Sequence, residues 1–138
     1  MVDINIREFG AQGDGLADDS AAIQAAIDAC PAGGVVLIPE GVFACAEIRM
    51  KPHITLQGTL TWGYRDNRET GACMIPARDG AACLIDITDA VGCTLTGLSL
   101  CGQGRGEGMH GVQIVKSDGY GREEDAIRVE KCRISEFS

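Results

Sequence analysis

The fold is decided by residues 5–43, which read NIREFGAQGDGLADDSAAIQAAI over 5–27 and GGVVLIPEGVF over 33–43. The middle of this stretch predicts a helix over about 18–30. Acidic or hydroxyl side chains at its start can accept hydrogen bonds from free backbone amides, and Pro31 with Gly33 and Gly34 ends it. One narrow apolar stripe runs along the helix, formed by Ile23, Ala26, Ile27 and Cys30. The helix is therefore expected to cover a flat surface.

Beyond Gly34 no helical pattern recurs, and the chain reads as short apolar or alternating runs separated by Gly, Pro, Asp or Asn. The predicted strands are Val35–Ile38, Val42–Met50, His53–Trp62, Ala82–Thr88, Cys93–Cys101, Met109–Lys116 and Ala126–Ser135. Many short strands are compatible with a sandwich, a barrel or a solenoid. An internal repeat would distinguish these possibilities.

Such a repeat is present, because Cys93–Leu100 aligns with Ile127–Ile134 at an offset of 34, with apolar or Cys residues in matching positions. Ile54–Leu60 is a third, weaker copy. In the two stronger copies the alternation is interrupted by an adjacent pair, Gly97-Leu98 and Lys131-Cys132, which indicates a bend between two faces. This pattern predicts the coils of a parallel β-helix.

The stretch 5–43 resembles the N-terminal signature of the pectate lyase superfamily, which includes the family 28 glycoside hydrolases, or polygalacturonases. The resemblance implies a mostly β protein, a right-handed parallel β-helix whose N-terminal end is closed by the helix. We therefore expect one domain over 1–138, with a cap over 1–34 and coils over 35–138. Because an end at Ser138 would leave a sheet edge open, we expect it to be the N-terminal part of a longer domain and able to self-associate.

The composition narrows the possible partners. The chain has 138 residues, a net charge of −8, and only six aromatic residues, three Phe, two Tyr and one Trp. This charge argues against a nucleic-acid partner, and no apolar run approaches the ~20 residues of a membrane helix. The N-terminus lacks a signal peptide, so we expect a cytoplasmic location unless export follows another route. Seven cysteines without a CxxC pair favour free thiols over a disulfide framework, and we expect no metal site and no cofactor.

The resemblance implies a polysaccharide hydrolase or lyase, yet no catalytic set is identified. Polygalacturonases resemble one another through AsnThrAsp, AspAsp, HisGly and ArgIleLys segments, none of which occurs here in that role. The pair Asp18-Asp19 lies at the start of the helix. With Gly13, Asp14 and Gly15 it is interpreted as a turn and helix cap, since it lacks the alternating ligands of a calcium loop. Catalytic residues are therefore expected beyond Ser138.

Two segments are candidates for carbohydrate contact. The first is a polar insertion that combines aromatic rings with arginines, which suit sugar faces and uronate carboxylates. The second is a glycine-rich turn over 106–111. Its letters fit the nucleotide-binding motif GxGxxG, but that motif opens a helix, and here a strand follows. The candidate residues are Trp62, Tyr64, Arg65 and Arg68 in the insertion, and Glu107 and His110 in the turn.

Two hypotheses follow. In the first, the chain is the N-terminal part of an enzyme acting on a pectin- or polyuronide-type polysaccharide. In the second, it is a glycan-binding or structural β-helix without turnover, similar to tailspikes or adhesins. The acidic net charge disfavours strong affinity for uronides, whereas the local pair Arg65 and Arg68 favours it.

Overall fold

A computed structural model describes residues 2–59, 71–105, 108–115 and 126–137. Within these ranges the chain forms three sheets in which every strand pairs in parallel with the strand one coil away. The first sheet contains β1 (Asp3–Asn5), β3 (Val35–Ile38), β6 (Thr55–Gly58), β9 (Thr94–Thr96) and β12 (Arg128–Glu130). The second contains β2 (Asp14–Asp18), β4 (Gly41–Cys45), β7 (Ala72–Pro76), β10 (Ser99–Cys101) and β13 (Arg133–Ser135). The third contains β5 (Ile48–Arg49), β8 (Cys83–Thr88) and β11 (His110–Val115).

The predicted repeat is confirmed by the register of the strands. Thr94 pairs with Arg128 in the first sheet, and Ser99 pairs with Arg133 in the second, both at the predicted offset of 34. The weaker third copy also aligns, since Leu56 of β6 pairs with Leu95 of β9. The adjacent pairs 97–98 and 131–132 lie between consecutive strands, where the chain passes from the first sheet to the second. The molecule is therefore a parallel β-helix.

Side chains from successive coils stack into columns in the interior of the β-helix. One column runs through the first sheet from Ile4 to Val36, Leu56, Leu95 and Val129, and another through the second sheet from Phe43 to Met74, Leu100 and Ile134. Their middle members are fully buried. Val129 and Ile134, on the last described coil, are 38% and 48% exposed. The columns are thus buried along the sheets, and the exposure of their members rises at the last described coil.

The N-terminal end is covered by a helix. Helix α1 (Ser20–Ala29) begins two residues later and ends one residue earlier than predicted, with Asp19 at its N-cap. Its apolar stripe is buried as expected, and it packs against the 3-10 turn Ile6–Phe9 and against β5. Ile6, Ile23 and Ile27 are fully excluded from solvent there.

Three strands, β1, β2 and β7, were not expected from the sequence. β7 is the informative case, because all five of its residues are buried and its sequence therefore does not alternate. Met74 faces the main core, while Cys73 and Ile75 join Ala44 and Cys101 in a second apolar cluster. A strand buried on both faces is a continuous apolar run. Hydrophobic periodicity cannot distinguish such a run from a buried helical segment.

All seven cysteines lie in described parts of the chain and are free thiols, six of them buried and Cys132 half-buried. Among the described residues no helix is long and apolar enough to cross a membrane.

Candidate functional site

A cleft of about 550 Å³ lies between α1 and the outer face of the third sheet. Helix α1 forms one wall, and strands β5, β8 and β11 form the other. Its lining is mixed in chemistry, with two carboxylates, one guanidinium, two amides and one thiol. The lining residues are Ser20, Ala21, Gln24, Ala46, Glu47, Ile48, Arg49, Ala82, Cys83, Asp86 and Gln113.

Side chains of α1 form hydrogen bonds to the backbone at and beside β5, the edge strand of the third sheet. The Gln24 amide nitrogen donates to the carbonyl oxygen of Arg49 at 2.9 Å, and its amide oxygen accepts from the Arg49 backbone nitrogen, also at 2.9 Å. Ser20 Oγ accepts from the backbone nitrogen of Ala46 at 2.9 Å. The side chain of Gln24 thus occupies the hydrogen-bonding positions that a further strand would take beside β5. The cleft therefore has a fixed wall at this edge of the sheet.

A row of polar side chains crosses the third sheet and faces the cleft. Arg49 of β5 pairs in register with Asp86 of β8, which pairs with Gln113 of β11. Successive strands place such groups about 4.8 Å apart. Within the described part of the chain the Arg49 guanidinium forms no ion pair or side-chain hydrogen bond. A cation and an amide thus flank a carboxylate on one line across the cleft.

Both carboxylates of the cleft already have partners. Glu47 Oε2 pairs with the Arg78 guanidinium at 2.7 Å, and Glu47 Oε1 accepts from the backbone nitrogen of Ala82 at 3.2 Å. Asp86 Oδ1 accepts from the Thr88 hydroxyl at 2.6 Å. Glu47 itself has a positive φ of 53° at the corner between β4 and β5. These contacts orient both carboxylates at the rim of the cleft.

The thiol of Cys83 is not activated for nucleophilic chemistry. Burial raises the pKa of Cys83 to about 11, and the negative charges of Asp86 and Glu47 add to this effect. A thiol with such a pKa is protonated near neutral pH, and the thiolate is the nucleophilic form. Cys83 therefore serves as part of the cleft floor.

Of the predicted carbohydrate contacts, only His110 falls within the described structure. Its side chain is exposed at the start of β11, in register with Cys83, and its backbone nitrogen donates to the carbonyl of Ala82 at 2.9 Å. It therefore lies beside the end of the cleft that Ala82 and Cys83 line. The other candidates, Trp62, Tyr64, Arg65, Arg68 and Glu107, lie outside the described residues.

The predicted cap residues form a network of hydrogen bonds to backbone amides. Asp14 Oδ1 accepts from the nitrogens of Ala17 and Leu16, and these bonds lower the pKa of Asp14. Asp18 Oδ1 accepts from Ser20 at 2.9 Å, at the first residue of α1. The carboxylate of Asp19, the N-cap residue, forms no bond to the helix and instead accepts from the nitrogens of Gln12 and Gly13.

Gly13 and Gly15 adopt φ values of +68° and +74°, which favour glycine. Together with the three carboxylates they fix the start of α1, and through Ser20 one end of the cleft.

Sequence reasoning did not identify the residues of the cleft. Gln24, Arg49, Asp86 and Gln113 are far apart along the chain, and only the coiling of the strands brings them together. The available signal was the alternation of the polar Asp86 and Thr88 with the buried Ile85 and Ile87. No group of three or more potential metal ligands occurs in the described ranges.

Comparisons with known proteins agree with this architecture. Residues 3–64 match the model of a family described as rhamnogalacturonase A/epimerase, pectate lyase-like. The N-terminal region of this chain is pectate lyase-like. This chain is 47% identical over 53 residues to exo-poly-α-D-galacturonosidase of Dickeya chrysanthemi, covering 38% of this chain and 9% of that protein. The mannuronan C5-epimerase AlgE1 of Azotobacter vinelandii is 44% identical over 69 residues, covering 41% of this chain and 5% of the epimerase.

Solved structures extend the likeness along the whole chain. The A-module of the A. vinelandii mannuronan C-5 epimerase AlgE4 superposes with a TM-score of 0.70 at 26% identity, covering 96% of this chain and 38% of the module. ORF18 of Geobacillus virus E2 has a TM-score of 0.65 at 22% identity, covering 80% of this chain and 23% of that protein, and shows the fold alone. The chain is a right-handed parallel β-helix. It spans well under half the length of these relatives.

Proposed function

We propose that this chain is the N-terminal portion of a protein that acts on an acidic, polyuronide-type polysaccharide as a hydrolase, lyase or epimerase. The similarity to an exo-poly-α-D-galacturonosidase and to mannuronan epimerases supports this proposal, since both names refer to polymers of uronic acids. Within this chain, the observation that supports the proposal is the row of Arg49, Asp86 and Gln113 across the cleft.

The two outer members of this row, Arg49 and Gln113, each suit one part of a uronide. A guanidinium pairs with a carboxylate through two parallel hydrogen bonds, and the Arg49 guanidinium has no protein partner among the described residues. The Gln113 amide can both donate to and accept from sugar hydroxyls. The net charge of −8 opposes a polyanion at long range, but screening limits this repulsion to about 8 Å at physiological salt. The charges that matter are therefore those near the cleft, and Arg49 is the cation among the lining residues that favours a uronate there.

The part played by these coils is binding rather than bond cleavage. Glycoside hydrolysis requires two carboxyl groups placed about 5 to 10 Å apart across the bond. The two carboxylates of the cleft are engaged, Glu47 by Arg78 and the Ala82 amide, and Asp86 by Thr88. We therefore assign the chemistry to residues beyond Ser138.

Isothermal titration of the 138-residue chain tests the binding site. Oligogalacturonate and oligomannuronate should bind more tightly than a neutral oligosaccharide of the same length, and added salt should weaken this preference. Arg49→Ala should reduce uronide affinity about tenfold, the cost of one charge-assisted contact. Lys51→Ala removes the same charge outside the cleft and should leave affinity unchanged. Equal binding of neutral and acidic ligands, or an unaffected Arg49→Ala variant, would reject the site.

A non-catalytic glycan-binding or structural module is the second candidate, favoured by the engaged state of both cleft carboxylates. Incubating the chain with polygalacturonate should yield neither new reducing ends nor unsaturated product under either candidate. The reading frame after the Ser138 codon separates the two. Further coils with stacked carboxylates support an enzyme, and a stop codon supports the module.

A further inference from the structure

Arg49 and Asp86 are neighbours on the third sheet and yet form no ion pair. They are paired in register on β5 and β8, and both line the cleft. Opposite charges in such cross-strand pairs attract each other. The Asp86 carboxylate nevertheless has a different partner, because Asp86 Oδ1 accepts a hydrogen bond from the Thr88 hydroxyl at 2.6 Å. Within the described part of the chain the Arg49 guanidinium is left without an anion.

The partner of Asp86 belongs to its own strand. Thr88 lies two residues further along β8, so that both side chains are on the same face of the sheet. The Thr88 side chain is exposed, and Thr88 is not among the residues that line the cleft. Its hydrogen bond directs the Asp86 carboxylate along β8, whereas an ion pair with Arg49 would direct it across to β5. Thr88 therefore influences the cleft through Asp86.

The direction of this carboxylate matters for an acidic ligand, because a uronate and Asp86 offer Arg49 the same chemical group. A guanidinium that forms two parallel hydrogen bonds with one carboxylate is no longer free to form them with another. Of the two carboxylates that line the cleft, Asp86 is the one in register with Arg49. The other, Glu47, is paired with Arg78. Asp86 is thus an internal competitor of the ligand.

We propose that Thr88 is a positioning residue of the uronide site, whose hydroxyl holds the Asp86 carboxylate on β8 and so keeps the Arg49 guanidinium available to a uronate. The identity of the ligand rests on the proposed function. Without the hydroxyl, Asp86 turns to Arg49 and closes the site from within. Thr88 thus sets the affinity for the ligand without contacting it.

Isothermal titration of the 138-residue chain with oligogalacturonate tests this role. Thr88→Val removes the hydroxyl at nearly constant volume, and it should weaken binding about fivefold, the effect of one exposed ion pair that competes with the ligand. Thr88→Ser retains a hydroxyl and should restore the affinity of the wild type. Thr94→Val is the same change on β9 of the first sheet, outside the cleft, and should leave affinity unchanged. Circular dichroism will verify that the variants fold.

Double variants distinguish a positioning role from a purely structural one. In an Asp86→Asn background no carboxylate remains at this position to pair with Arg49, so adding Thr88→Val should cause no further loss of affinity. In an Arg49→Ala background Thr88→Val should likewise have no effect, because the group for which Asp86 competes is absent. Side chains that act through one another are non-additive in this way. A loss that persists in either background would overturn the proposal.

A measurement without ligand separates this proposal from the proposed function. The NMR resonance of the Arg49 Nε–H group should shift in Thr88→Val, where the ion pair with Asp86 forms, and should return when Asp86→Asn is added. An unshifted resonance would overturn the role of Thr88, even where uronides bind through Arg49. If the resonance shifts as expected and no preference for uronides is found, the role of Thr88 stands and the proposed ligand is rejected.

Discussion

The carboxylate of Asp19 accepts a hydrogen bond from the backbone nitrogen of Gly13 at 3.0 Å, while its other oxygen accepts from Gln12 at 2.9 Å. Asp19 is the N-cap residue of α1 and is only 3% exposed. Its side chain turns back from the helix and holds the preceding loop. The loop between the 3-10 turn and β2 is therefore fixed to the start of α1 by one buried anion.

This arrangement predicts that Asp19→Ala lowers the free energy of unfolding by about 3 kcal/mol, because two amides lose a charged acceptor in a buried site. Asp18→Ala removes a single exposed bond to Ser20 and should cost about 1 kcal/mol. Urea unfolding followed by circular dichroism measures both values. Equal losses for the two variants would show that the loop contact contributes little.

Gly13 provides a second test of the cap, since its position combines a backbone and a steric requirement. Its φ is +68°, and a Cβ added there would lie 2.9 Å from Cε1 of the buried Phe43 ring. Gly10 also has a positive φ, +96°, but a Cβ there would meet nothing within 4 Å. We expect Gly13→Ala to destabilise by about 3 kcal/mol and Gly10→Ala by about 1 kcal/mol in thermal or urea unfolding. Only the Gly13 variant adds close contacts, with the Phe43 ring and with Arg7 Nη2 at 3.0 Å, so similar losses would contradict this assignment.

The two hydrogen bonds between the Gln24 side chain and the Arg49 backbone should hold α1 against β5 at the edge of the cleft. Gln24→Ala leaves the backbone nitrogen and oxygen of Arg49 without their partners, and we expect a loss of about 1 to 2 kcal/mol. Hydrogen exchange at the Arg49 amide should accelerate in this variant. Gln57→Ala, at an exposed position of β6, is the control and should alter neither quantity. An unchanged exchange rate at Arg49 would mean that Gln24 does not hold β5.

The buried thiols make stability dependent on alkaline pH. Burial raises the pKa values of Cys83 and Cys93 to about 11, against about 8.5 for a thiol in an unfolded chain. Between these values the unfolded chain releases thiol protons that the folded chain retains, so the free energy of unfolding falls as the pH rises. Urea titrations under reducing conditions should show this decline, and replacing both cysteines by Ala should make it shallower. Stability that is level or rising across this window would contradict the assignment.

The sequence was sufficient for the repeat and for the helix because both depend on local patterns. The 34-residue offset between Thr94 and Arg128 could be read directly, since β9 and β12 each alternate and each end at a bend. Strand β7 could not be predicted, because Cys73 and Ile75 on its second face are as apolar as Met74 on its first. Alternation is informative only where one face of a strand meets solvent.

The cleft was beyond prediction for a different reason. Gln24, Arg49 and Asp86 become neighbours through the register between coils and through the angle at which α1 packs on β5. Neither quantity is encoded in a short segment. The predicted role of Asp18 and Asp19 at the start of α1 was accessible from spacing, but the direction of the Asp19 side chain depends on the folded loop at Gln12 and Gly13.

The first and second sheets are joined by connections of very different length. Residues 39–40 connect β3 to β4, whereas residues 59–71 connect β6 to β7, and yet Val36 still pairs with Leu56 and Phe43 with Met74. The corner between the first and second sheets therefore accepts inserted residues without a change in the register of the strands. A recognition loop transplanted to 39–40 should be accepted there, so that ligand preference can diversify at the corners while the stacked interior stays the same.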